Sequence, residues 1–96
     1  MTVLRHYLMR AAEGRGEALG AALAALADKV RPLAGCEKVE MFTDAGDANA
    51  FIFIEYWSSV EAHKAAGAAL GKDAFADVMA ALAGPPEGRY LNPVEA

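Results

Sequence analysis

An α+β domain with a four-stranded antiparallel sheet is the fold class that the sequence predicts. The 96 residues suit a single domain, residues 1–96. Four short stretches have the apolar alternation of strands, and two helical stretches separate them in the order βαββα(α)β. This order is typical of the split βαβ, ferredoxin-like arrangement. It predicts the strand order 4-1-3-2, with the helices on one face of the sheet.

The first half of the chain predicts a strand, a helix and a second strand. Residues 2–10 (TVLRHYLMR) are apolar on both faces, which indicates a strand covered on both sides. Residues 17–31 carry leucines and a valine at alternating spacings of four and three, the pattern of one helical stripe. Pro32 ends this helix, and residues 36–43 alternate as a second strand. The stripe consists of Leu19, Leu23, Leu26, Val30 and Leu33.

The second half predicts the most apolar strand, an interrupted helix and a short final strand. Residues 50–57 (AFIFIEYW) are apolar on both faces, and Ser58 with Glu61 forms a capping box for the helix that follows. Two glycines predict that this helix ends at about Ala66. A second helical piece is predicted over 73–83. The stretch GRYLNPV then forms a last strand, which its proline confines to a sheet edge.

Composition excludes several classes of function. A net charge of −4 gives no basic surface for nucleic acid, and no apolar run reaches the ~18 residues of a membrane span. Arg5 and His6 interrupt the N-terminal stretch where an export signal would be apolar. A lone cysteine, Cys36, predicts a reducing, cytoplasmic environment. Nucleotide-binding motifs and metal-ligand spacings are absent, so neither a cofactor nor a metal is predicted.

Two apolar sets alternate along the first and third strands. If helices cover one set, the other needs a cover of its own, because a large apolar patch is unfavourable in water. A second copy of the same sheet supplies it, so the sequence predicts a homodimer. The sets are Leu4, Leu8, Ile52, Ile54 and Tyr56 on one face, and Val3, Tyr7, Phe51, Phe53 and Trp57 on the other.

The third strand and the helix after it carry a family resemblance. Residues 54–63, IEYWSSVEAH, resemble the I/L-E-x-W-x-S-x-E-A-H stretch of the antibiotic biosynthesis monooxygenase family. The resemblance implies a dimeric α/β barrel with a substrate pocket between sheet and helices. It also implies oxygenation of a small aromatic or quinol substrate by O2 without a cofactor, the substrate anion acting as the reductant. Haem degradation is not predicted, because Tyr7 stands where haem-degrading members carry asparagine.

The resemblance names the candidate site residues. Trp57 and Glu55 match the family stretch, and His63 is the best general base, since the unperturbed pKa of histidine, ~6.5, suits neutral pH. His63 and Trp57 are therefore the predicted catalytic residues. The predicted substrate-binding residues are Arg5, Tyr7, Phe51, Phe53 and Glu55.

The residues alone leave structural alternatives open. Trp57 is either a pocket wall or a core aromatic, and His63 is either a base or a half-exposed surface histidine. Arg5 and Glu55 are expected to neutralise each other, and if Tyr7 faces the pocket, His6 lies on the dimer side. Two rival functions also stay open: an isomerase or lyase on the same barrel, and a non-catalytic, small-molecule-binding stress-response module.

Overall fold

In the computed structural model, which describes residues 2–94, one antiparallel sheet is covered by helices on a single face. The strand order β2-β3-β1-β4 is the predicted order read from the opposite edge. The predicted ferredoxin-like α+β class is therefore confirmed. The strands are β1 (Val3–Arg10), β2 (Cys36–Asp44), β3 (Asp47–Trp57) and β4 (Glu87–Leu91). The helices are α1 (Gly16–Val30), α2 (Val60–Leu70) and α3 (Ala76–Ala81), with a 3-10 turn at Lys72–Phe75 before α3.

The central strand β1 pairs with β3 on one side and β4 on the other. Arg5 lies opposite Glu55 on β3 and opposite Tyr90 on β4. Directly paired residues of antiparallel strands point to the same face of the sheet. The register therefore brings these three side chains to one level on the helix-covered face.

The core lies between this face and α1. The predicted stripe is confirmed for Leu19, Leu23, Leu26 and Val30, which are all buried within α1. Its fifth member, Leu33, lies beyond the end of the helix and is partly buried against the same core. These residues pack against Phe53 and Trp57, which are 0% and 1% exposed. Apolar area removed from water at this contact is the main stabilising contribution to such a layer.

The start of α2 differs from the prediction by one residue. Ser59 caps the helix, since its Oγ accepts a hydrogen bond of 3.0 Å from the Ala62 N–H. Ser58 is held outside the helix because its own N–H donates to the Gly35 carbonyl. Nor does α2 end at Ala66: it continues through Gly67 to Leu70, because tertiary packing outweighs the low helix propensity of a single glycine.

The other boundaries also differ slightly. The second helical piece is a 3-10 turn followed by six residues of α3, since Leu82 is already extended and bridges to Ala11. The hairpin between β2 and β3 is tighter than predicted, because Asp44 Oδ1 accepts the Gly46 N–H at 2.7 Å. Both strands therefore run further into that turn.

Gly35 fixes the close approach of α2 to the sheet. Its φ is +87°, and a Cβ there would lie 2.6 Å from the Ala62 Cβ. Only glycine meets both requirements without strain. The approach matters for function because Ala62 is followed by His63.

None of the helices between residues 2 and 94 lies on the opposite face of the sheet. Its five predicted apolar residues are partly exposed, and Phe42 at the same face is 48% exposed. We call this the open face; it consists of Leu4, His6, Leu8, Phe42, Ile52, Ile54 and Tyr56. Within residues 2–94, no helix combines the length and the apolar character needed to cross a bilayer.

Candidate active site

A polar cluster lies on the covered face, where β1, β3 and β4 meet the first turns of α2. Polar side chains that are buried or partly buried converge there on one imidazole. We call it the His63 cluster; it consists of Arg5, Tyr7, Glu55, Trp57, His63 and Tyr90.

Both ring nitrogens of His63 have a tyrosine partner. The Tyr90 hydroxyl lies 2.7 Å from Nδ1, and the Tyr7 hydroxyl lies 3.2 Å from Nε2. The imidazole also packs edge-on against the rings of Trp57 and Tyr90, with centroids 5.6 and 5.4 Å away. These contacts fix the orientation of the ring, and a histidine that transfers a proton requires a fixed orientation.

Glu55 lies beneath the imidazole. It is the one buried charged residue found in the described chain, at 5% exposure. Its Oε1 accepts a hydrogen bond of 2.9 Å from Trp57 Nε1–H and lies 3.7 Å from His63 Nε2. Burial raises the pKa of this carboxyl, while the Trp57 hydrogen bond and the Arg5 charge oppose the rise.

Arg5 lies across the two tyrosine rings. Its guanidinium carbon is 4.5 Å from the Tyr90 ring centroid and 5.0 Å from that of Tyr7, both within cation–π range. The expected direct ion pair with Glu55 does not form, although the two residues are paired in register. The guanidinium stacks on the aromatic rings instead, and its buried Nε has no hydrogen-bond partner among the described residues.

Gly88 makes room for this stacking. It lies opposite Tyr7 on β4, and a Cβ there would approach Arg5 Nη2 to 2.6 Å and Tyr7 Cε1 to 3.1 Å. Any larger residue would displace the guanidinium or the ring. Gly88 stands at the start of the predicted last strand, but the sequence gives no sign of this role, because the role depends on the pairing of β4 with β1.

The surroundings of the cluster favour the uncharged forms of His63 and Tyr7. Burial lowers the pKa of His63, and the charges of Arg5 and Lys64 lower it further, so the imidazole is neutral at pH 7. Burial raises the pKa of the Tyr7 phenol despite the nearby Arg5, so Tyr7 keeps its proton. A neutral imidazole bonded to phenols can accept a proton from an incoming acid.

The structure thus brings together five of the seven predicted site residues: Arg5, Tyr7, Glu55, Trp57 and His63. Phe53 adjoins them, its ring centroid 6.4 Å from that of Tyr7. Phe51 lies further along β3, where its ring contacts the position of Gly20 on α1. The prediction omitted Tyr90, whose place on the covered face depends on the β1–β4 register.

The cavities of the structure lie away from the His63 cluster. Two surface cavities of about 320 Å³ each are present, one near Leu8 and Pro85 and one between α1 and α3. Neither is lined by the His63 cluster. No three His, Cys, Asp or Glu side chains from 2 to 94 are grouped closely enough to hold a metal ion.

Comparison with known proteins decides the family. The family model of the antibiotic biosynthesis monooxygenases matches residues 2–83, most of the chain. The chain belongs to this family. The match extends from β1 to the end of α3, so it includes every member of the His63 cluster except Tyr90. No curated protein matches the sequence.

Solved structures share the fold of this family member over nearly its whole length. A Chloroflexus aurantiacus J-10-fl protein, provisionally named an antibiotic biosynthesis monooxygenase, is 28% identical with a TM-score of 0.81, covering 100% of this chain and 96% of that one. A Bordetella bronchiseptica protein of the same provisional name is 16% identical with a TM-score of 0.86, covering 98% of both. SnoaB, a cofactor-independent oxygenase from Streptomyces nogalater, is 12% identical with a TM-score of 0.81, covering 99% and 95%.

Proposed function

We propose that this chain is a cofactor-independent monooxygenase that oxidises a small aromatic or quinol substrate at the His63 cluster. The observation that carries the proposal is an imidazole held between two tyrosine hydroxyls, 3.7 Å from a buried glutamate side chain. Buried titratable groups with shifted pKa values are typical of catalytic sites. The family membership supplies the reaction class, and SnoaB shows that this fold can carry oxygenation without a cofactor.

The chain's own residues have separate roles in this proposal. His63 is the final acceptor of the proton of a phenol or quinol, and Arg5 stabilises the resulting anion. That anion then reduces O2. Trp57, Phe53 and Phe51 form the aromatic wall beneath the site, while Tyr7 and Glu55 hold the imidazole. The substrate enters where β4 faces α2, because Tyr90 and His63 are partly exposed there.

The proposal includes a homodimer in the reducing cytoplasm, to which the lone cysteine is suited. A second copy of the chain covers the open face, whose central residues Ile54 and Leu4 are aliphatic. A two-fold axis that lies between the copies and runs parallel to the sheet pairs this face with itself, and such two-fold dimers are the commonest homo-oligomers. The dimer leaves the covered face of each subunit, and hence its His63 cluster, free for substrate.

Oxygen consumption with paired histidine variants tests the function. Naphthols, hydroquinones and flavonoids are first screened by quenching of Trp57, the sole tryptophan. For a substrate that the parent oxidises, His63→Gln should lower kcat/KM by about 100-fold or more, the usual contribution of a general base. His6→Gln should stay within about threefold, because His6 lies on the open face. Equal effects of the two substitutions would contradict the assignment.

A proton-only reaction is the second candidate, because the cluster consists of groups that move protons. An isomerase or lyase would turn over its substrate at the same rate under argon, whereas the oxygenase requires O2. A folded dimer that quenches with ligands but turns none over, in air or under argon, would identify a binding module and overturn both catalytic proposals.

A further inference from the structure

We infer that Tyr90 is a catalytic residue, whose hydroxyl passes its proton to His63 Nδ1 while its oxygen takes the proton of the substrate. This inference rests on the proposed function and adds to it the group that contacts the substrate. The starting observation is that His63 has no free ring nitrogen, since Tyr90 and Tyr7 occupy Nδ1 and Nε2. A substrate proton can therefore reach the imidazole only through a tyrosine.

The surroundings of Nε2 determine which nitrogen carries the proton in the neutral ring. Glu55 Oε1 lies 3.7 Å from Nε2, and in its ionised form it favours an N–H there over a lone pair. The neighbouring Tyr7 oxygen, 3.2 Å away, can accept that N–H. With the proton on Nε2, Nδ1 carries the lone pair and accepts the Tyr90 O–H at 2.7 Å.

Glu55, His63 and Tyr90 are thus arranged in a row that resembles an acid–base triad. The charge of Glu55 favours the Nε2–H form of His63, Tyr7 accepts that N–H, and Nδ1 receives the proton of a hydroxyl within hydrogen-bond distance. Tyr90 occupies the position of the activated hydroxyl. Arg5 lies 4.5 Å from its ring centroid, so a positive charge is present where negative charge develops during the transfer.

Geometry favours Tyr90 over Tyr7 as the group that contacts the substrate. Tyr7 is on the central strand β1, where its ring packs with Phe53, and its hydroxyl is the more distant of the two from the imidazole. Tyr90 is on the edge strand β4, beside the exposed residues Gly88 and Arg89. The tyrosine on the sheet edge thus also makes the shorter hydrogen bond.

The proton balance of the step is complete. A substrate O–H gives its proton to the Tyr90 oxygen as the Tyr90 proton moves to Nδ1. The products are a substrate anion beside Arg5 and an imidazolium whose Nε2–H faces Glu55. No electron is transferred in this step, and the return of the proton restores Tyr90 and the neutral ring.

The first measurement is the tautomer of His63, which needs no substrate. Nitrogen-15 NMR of the histidine rings distinguishes the protonated from the unprotonated ring nitrogen. We expect the parent to carry its proton on Nε2, and Tyr90→Phe to shift the Nδ1 resonance toward that of a nitrogen without a hydrogen bond. Tyr56→Phe is the matched control, because Tyr56 bonds to Glu40 on the other face. A parent with its proton on Nδ1 overturns the inference, whatever the reaction is.

The second measurement is turnover of any substrate found for the parent. Tyr90→Phe should lower kcat by about 100-fold or more, with KM changed far less, because acid–base transfer contributes in that range. Tyr56→Phe should keep the parent kcat. If His63→Gln is inactive while Tyr90→Phe keeps its kcat, the inference fails and the proposed function stands. If the parent turns over nothing, in air or under argon, the proposed function fails and the inference fails with it.

Discussion

The two faces of the sheet carry similar polar residues in different surroundings. Each face has one histidine, and on each a glutamate accepts a hydrogen bond from an aromatic side chain. On the covered face, Trp57 donates to Glu55 at 2.9 Å, and on the open face Tyr56 donates to Glu40 at 2.7 Å. The covered face also packs against the helical layer, whereas no helix of the described residues lies on the open face.

The pKa values of the two glutamates are shifted in opposite directions. The hydrogen bonds from Tyr56 and Lys38 hold the pKa of Glu40 below its usual value, since water still solvates that carboxylate. Burial raises the pKa of Glu55 although it too accepts a hydrogen bond. One hydrogen bond therefore does not compensate for the loss of solvent around a charge. A site with pKa values shifted by burial is therefore expected on the face where helices exclude water.

The largest expected difference between the faces is in stability. Phe53→Ala removes a ring that is 0% exposed and should lower the free energy of unfolding by about 3–5 kcal/mol, the usual cost of a cavity that large. Phe42→Ala removes a ring of the open face that is 48% exposed in the single chain, and should cost less than about 1.5 kcal/mol within each subunit, apart from any effect on dimerisation. Urea denaturation of both variants at one protein concentration measures this difference. Similar losses at a protein concentration low enough to keep the chains monomeric would show that the two faces are equally buried within one chain.

The next prediction concerns assembly. Ile54→Glu places a charge at the centre of the open face, opposite His6. An unpaired charge buried between two subunits should cost about 3 kcal/mol or more, which corresponds to at least ~100-fold weaker dimerisation. Sedimentation analysis should show a dimeric parent and a folded, monomeric variant. Thr43→Glu is the control, because Thr43 is exposed near the hairpin turn. A parent that sediments as a monomer at all concentrations would contradict the proposed cover.

The fold could be predicted from sequence because it depends on local patterns. The leucine stripe of α1 and the alternation of β3 each specify an element and its buried side within a few residues. The errors lie at the ends of elements. Ser58 and Ser59 are both good caps, and only the bond from the Ser58 N–H to Gly35, 23 positions earlier in the chain, decides between them.

The site was only partly predictable because it depends on register between distant strands. The resemblance led to Trp57 and His63, since both lie in one continuous stretch. Tyr90 joins the cluster, and Gly88 makes room for it, through pairing with Arg5 and Tyr7, more than eighty positions away. A shift of one residue in β4 would have turned Tyr90 to the open face. The sequence contains no signal strong enough to exclude that shift.

The smallest predicted effect concerns the pH dependence of stability, to which Glu55 and Glu40 contribute with opposite signs. Because the folded-state pKa of Glu55 is raised, the native chain binds this proton more tightly than the unfolded chain does. Ionisation of Glu55 therefore reduces stability as pH rises from the unfolded value of about 4.5 through the higher folded value. The folded-state pKa of Glu40 is lowered, so its contribution is present above about 4.5 and is lost as pH falls through the lower folded value.

Replacement of each carboxylate by an amide turns this contrast into a measurement. The stability of Glu55→Gln relative to the parent should rise with pH, because the variant avoids the cost of a buried charge. The stability of Glu40→Gln relative to the parent should fall with pH, because the variant loses a favourable charge beside Lys38. Urea denaturation across the pH range in which the parent stays folded gives the two slopes. Slopes of the same sign would mean that Glu55 is solvated like Glu40, and the covered face would then lose the feature that distinguishes its chemistry from that of the open face.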